Sequence, residues 1–81
     1  MHPIDIRVDD EAGAAYVRYA SGDVAETVEV FEEGTVAADV DSSGAILGIE
    51  VLSFDEDVLS QARNFASEND LIFPARLGSP A

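Results

Sequence analysis

A chain of 81 residues without cysteine makes one domain with one modest core, and excludes a disulfide framework, a zinc–thiolate site and a thiol nucleophile. Seventeen Asp and Glu against four Arg and no Lys give a formal net charge of -13, which excludes the basic footprint needed for nucleic acid or an anionic membrane. No apolar run approaches the roughly 18 to 20 residues that span a bilayer. MHPIDIRVDDE has neither the basic region nor the apolar stretch of a signal peptide, so a cytoplasmic location is expected. The acidity is compatible with three readings: a self-repelling surface suited to a saline cytoplasm, a face that meets a basic protein, or a cation-binding surface. Apolar content is ordinary at 47%, so acidity does not imply disorder.

The first half of the chain alternates. In IDIRV, Ile4, Ile6 and Val8 share one parity and Asp5 and Arg7 the other, as in a half-buried strand. DDEAG supplies a turn, with Gly13 suited to positive φ. AAYVRYA is a second strand, with Tyr16 and Arg18 on one face and Val17 and Tyr19 on the other. After SGD, VAETVEVF alternates again as a third strand. EEGT turns into VAADVD, and SSG turns into AILGIEVL, the fourth and fifth strands. Turn signals every 8 to 12 residues are the spacing of an antiparallel meander.

The period changes at Ser53. Val58, Leu59, Ala62, Phe65 and Ala66 follow helical spacing, with Glu56, Asp57, Ser60, Arg63 and Ser67 on the other side. Asp55 is placed as N-cap, Phe54 and Leu59 as a hydrophobic staple, and the end falls near Asn69. The expected fold is α+β: a five-stranded antiparallel β-meander followed by one C-terminal amphipathic helix. Residues 1–70 form a single domain, and residues 71–81 a tail that is partly docked or disordered. Leu71, Ile72 and Phe73 are placed to dock on the sheet or on a second subunit. One helix covers at most one face of a sheet, so the open face or an edge is expected to meet another copy in a homodimer.

An extended strand leading into DDEAGAAYVRY resembles the "D-x-E-A-D-A-L-Y-I-R-L" opening of the bacterial and archaeal domain-of-unknown-function family 2283. VAADVDSSGAILGIEVLSF resembles that family's "V-I-V-D-L-D-E-D-G-N-I-V-G-I-E-I-L" ending. The resemblance covers roughly residues 4 to 54. Gly13 replaces the usual acidic residue, and Ala15 and Val17 are smaller than the common Leu and Ile. The resemblance implies a small β-rich module without an established catalytic apparatus. Some members lie beside toxin-like genes, which implies an antitoxin-type or other partner-binding role.

DVDSSGAILGIE also fits the spacing of an EF-hand loop, with Asp39, Asp41 and Ser43 at alternate positions, Gly44 at the turn and Glu50 closing. Its flanks read as strands rather than helices. The stretch is therefore a hairpin turned by Gly44, in which Asp39 is expected to face about Leu47 and the carboxylates do not converge. Asp39 and Asp41 remain candidates for a weak surface divalent-cation site. His2 lies in a frayed terminus, and no Walker loop or G-x-S-x-G elbow is present. Tyr16, Arg18 and Glu50 each match a family residue and form the candidate contact patch for a ligand or partner, with Arg18 bridging Glu50 or Glu26 across strands. The expected function is non-catalytic protein interaction with a basic partner, without cofactors. The alternatives are a cation module at Asp39 and Asp41 and a small carboxylate enzyme.

Overall fold

The computed structural model describes residues 1–77. Five strands, β1 (Asp5–Asp9), β2 (Ala14–Arg18), β3 (Glu26–Phe31), β4 (Val36–Val40) and β5 (Ile46–Val51), precede one helix, α1 (Glu56–Glu68). A short 3-10 turn, Glu32–Gly34, joins β3 to β4. The five-stranded antiparallel sheet followed by a C-terminal helix is the expected α+β architecture. Its order is β1-β2-β5-β4-β3, so β3, β4 and β5 form a meander, β1 and β2 a hairpin, and β5 joins the two. Periodicity assigns residues to faces but not strands to neighbours, which is why this order is visible only in the fold.

The pairing register sorts the two faces. Toward the helix run the rows Ile6–Val17–Ile49–Ala38–Val28 and Val8–Ala15–Val51–Val36–Phe31. Against their centre pack Val58, Ala62 and Ala66 of α1, at the helical spacing read from the sequence. Along the first row Val17 and Ile49 are fully buried, while Ile6 and Val28 at the ends are 44% and 41% exposed. The helix thus lies over β5, β4 and β3, and leaves the β1 edge open on that side.

The helix ends are built locally. Asp55 occupies the N-cap position with extended backbone, but its side chain makes no cap bond. Its amide instead donates to Ser53 Oγ at 3.1 Å. Phe54 and Leu59 both pack on the core, as a staple requires. At the other end Asp70 has φ 58, and the amides of Asp70 and Leu71 donate to Ser67 O (3.2 Å) and Ala66 O (2.8 Å). This is a Schellman motif with Asp where glycine is usual, and its following apolar residue, Leu71, is buried. Tyr19 Oη then donates to Ile72 O at 2.9 Å, and Phe73 packs on the core. The start of the tail is therefore docked on this subunit's own sheet; residues 78–81 of the tail lie outside the described residues. The N-terminus is tied to the same segment: the Met1 amino group donates to Asp70 O at 2.7 Å, and Ile72 N donates to Met1 O at 2.9 Å. His2 therefore sits beside an anchored residue rather than in a frayed end.

A left-handed conformation strains a residue with a Cβ, and a carboxylate opposes the helix dipole at this end. Asp70→Gly is expected to stabilise the fold by about 1 kcal/mol in chemical denaturation, and Asp70→Ala to destabilise it.

Candidate functional site

The sheet face away from the helix is polar. Its rows are Arg7–Tyr16–Glu50–Ala37–Glu29 and Asp5–Arg18–Gly48–Asp39–Thr27. The alternation of β2 and β5 places Tyr16, Arg18 and Glu50 together here, with Tyr16 and Glu50 directly opposed.

Tyr16 organises the face. Its ring crosses β5 and its hydroxyl donates to Asp39 Oδ2 on β4 at 2.9 Å. The ring lies on Gly48, where a Cβ would stand 2.7 Å from Cε2 and closer still to the phenol oxygen. Glycine is the residue that leaves this space, which accounts for its presence inside a strand, where it otherwise weakens pairing. Thr27 Oγ1 on β3 donates to Asp39 Oδ1 at 2.6 Å, so both oxygens of that carboxylate are held. The chain of contacts Tyr16–Asp39–Thr27 ties four adjacent strands across the open face.

Asp39 reaches this position through a register shift between Asp39 and Val40. Val40 opposes Ile46, but Asp39 opposes Gly48 rather than Leu47 as the sequence suggested, because Leu47 is the extra residue of a bulge. Leu47 O accepts from both Tyr19 N (2.8 Å) and Ala20 N (3.2 Å), which anchors the start of the connection from β2 to β3. Arg18 does not bridge to Glu50 or Glu26. Its guanidinium lies 5.6 Å from the Tyr16 ring centroid in a cation–π contact, and Glu26 is carried on the opposite parity at the far edge.

Asp41 is held separately. Its Oδ1 accepts from Ser43 Oγ (2.6 Å), Ser43 N (2.8 Å) and Ala45 N (3.0 Å), within a turn in which Gly44 has φ 87. The Ser43 hydroxyl bond, with the Ala45 and Ser43 amides, holds its carboxyl below the usual range. Asp39 and Asp41 are thus each engaged by their own neighbours. Among the described residues no group of three His, Asp or Glu is placed to hold a metal ion. Beside Tyr16 and Glu50 lies a shallow open depression of about 220 Å³, lined also by Arg7 and Asp9. It is below the range of about 300–1,000 Å³ usual for small-molecule sites. Arg7 Nε donates to Asp5 Oδ2 at 3.1 Å on its rim.

Sequence reasoning missed Arg7, Asp39 as the partner of Tyr16, and Thr27. Shared parity places Arg7 and Thr27 on this face, but their role depends on strand order. Among the described residues no helix is long and apolar enough to cross a membrane.

An open-faced antiparallel sheet backed by one helix, with a Tyr–Asp–Thr bridge on its polar side, defines a small α+β domain. The model of the family described as protein of unknown function (DUF2283) matches residues 5–54, and the chain belongs to that family. The match spans all five strands and both motifs that the Tyr16–Asp39 bond joins. Comparison with curated proteins and with solved structures gives no match.

Gly48→Ala is expected to cost about 2 kcal/mol, since it displaces the ring and breaks its hydrogen bond. In a Tyr16→Ala background the same change should be close to neutral, and a double-mutant cycle by urea denaturation measures the difference. Burial, then the bond to Asp39, pushes the Tyr16 hydroxyl up to about 12, and burial pushes Tyr19 there too. The folded state holds these protons more tightly than the unfolded chain. Their contribution is therefore complete below pH about 10 and lost as pH rises toward 12. Phenolate absorbance of the native protein should appear only above pH 10, and Tyr16→Phe should reduce the alkaline loss of stability.

Proposed function

We propose that this domain is a non-catalytic interaction module that offers an acidic pole to a basic partner protein, as an antitoxin does to a basic toxin. What supports this reading is the way strand order gathers charge. The Asp9–Glu11 turn, the 3-10 turn with Glu32 and Glu33, and the helix start Asp55–Asp57 all leave the same end of the sheet. The row Val8–Ala15–Val51–Val36–Phe31 marks that end, and Leu52 N donates to Thr35 O across it at 2.9 Å. One cation pairs there among the described residues, Arg63 with Glu56. The remaining carboxylates are available to cations from outside.

Such recognition depends on salt and position. A basic protein captured from the native host should be released as salt rises from about 0.1 M to about 1 M, where the screening length falls from about 10 Å to about 3 Å. Neutralising the pole with Glu11→Gln, Glu32→Gln and Glu33→Gln should weaken that complex about tenfold. Asp23→Asn, Glu26→Gln and Glu68→Gln, which remove the same charge elsewhere, should change it less than about twofold. Salt-insensitive capture, or equal effects of the two triple variants in calorimetry, overturns the reading.

A further inference from the structure

We infer that β1 is a self-complementary edge through which two copies of this chain pair, antiparallel about Ile6, into one continuous ten-stranded sheet (twice the five of one chain). β1 is an outer strand with no proline and no bulge in its pairing with β2. Such an edge is a template for another strand unless something blunts it. The opposite edge is blunted: β3 carries a register shift between Glu29 and Phe31, and its Glu26 and Glu29 have no cation in the strand to oppose them in a second copy.

The backbone of β1 faces outward at the right residues. Arg18 O accepts from Ile4 N at 2.7 Å, so the even-numbered residues of β2 turn their backbone groups to β1. Tyr19 N donates to Leu47 O on the other side, as the odd-numbered ones should. The residues opposite Tyr16 and Arg18, namely Arg7 and Asp5, therefore bond inward, and Ile6 and Val8 present free N–H and C=O groups to solvent.

Charge then selects the register. Two-fold antiparallel pairing must oppose residues of the same face, so its centre falls on a residue. Centred on Ile6, it places Asp5 of each copy opposite Arg7 of the other and Ile6 against Ile6, while Ile4, whose N–H is turned inward to Arg18 O, meets Val8 through its side chain alone. Centred on Arg7, it would oppose Arg7 to Arg7 and Asp5 to Asp9. The first register makes two opposite-charge pairs where the second makes only like-charge pairs. The first also covers Ile4, Ile6 and Val8, which are 60%, 44% and 43% exposed beside the edge of the core. Asp5 and Arg7 already pair within one chain, and in the dimer that pair extends to a four-charge row on the polar face.

Sedimentation equilibrium with charge-swapped variants tests this, with circular dichroism to verify that each stays folded. Asp5→Arg and Arg7→Asp should each weaken the dimer about tenfold, because each turns two attractive pairs into repulsive ones. The double variant D5R/R7D should return to within about threefold of the original, since the pairs are restored with exchanged signs. The chain has no cysteine, so Ile6→Cys should crosslink two copies under mild oxidation, while Val28→Cys on the other edge should not. A chain that stays monomeric up to about 1 mM overturns the proposal. So does a dimer that ignores both single swaps, a dimer tightened by Asp5→Arg as the Arg7-centred register requires, or crosslinking at position 28 in preference to position 6.

Discussion

The ring of Tyr16 lies across a strand, and much of the molecule is arranged to let it. It needs β5 beside β2, a residue without a side chain at position 48, and a carboxylate on the next strand at hydrogen-bond distance. The bulge at Leu47 satisfies the last condition, because without that extra residue Asp39 would not oppose Gly48. A partly buried phenol bonded to a carboxylate is also a charge-assisted contact, stronger than a neutral pair. The two segments that carry the family resemblance, YVR and DVDSSGAILGIE, are thus halves of a single device. Tyr16 and Arg18 come from one, and Asp39 and Gly48 from the other.

Electrostatics is unevenly distributed over this frame. The polar face holds Arg7 and Arg18 among its carboxylates, whereas the end with the β1–β2 turn and the helix start is almost wholly acidic. Both ion pairs among the described residues are exposed, and such pairs contribute about 0–1 kcal/mol at most. Stability therefore comes from the apolar layer between sheet and helix, where Val17, Val36, Ile49, Val51, Ala62 and Ala66 are closed to solvent. The fold does not rest on the charges of that acidic end.

Local chemistry was readable from the sequence, and long-range pairing was not. Each strand, the Gly44 turn, the N-cap position of Asp55 and the end of the helix at Asn69 follow from period and punctuation. Tyr16, Arg18 and Glu50 share a face because parity says so. Which strand lies beside β2 is a tertiary fact, and it sets Gly48 and Glu50 of β5, rather than Glu26 of the far edge, next to Arg18 and Tyr16. The role of Gly48 was hidden for the same reason: the side chain that needs the space belongs to a strand far away in the chain. Asp70 gave no signal either, since aspartate is common in helix-flanking loops and its left-handed backbone shows only in the structure.

Strand order also has a meaning in time. The β1–β2 hairpin and the β3–β4–β5 meander each join strands that follow one another, so each closes only short loops. The pairing of β2 with β5 is the sheet's one contact between strands distant in sequence, and the entropy of long-range closure is concentrated there. Tyr16 crosses that seam and fastens on the far side of it. The residue that shapes the polar face is therefore also the clasp between two pieces of chain, each of which is paired locally.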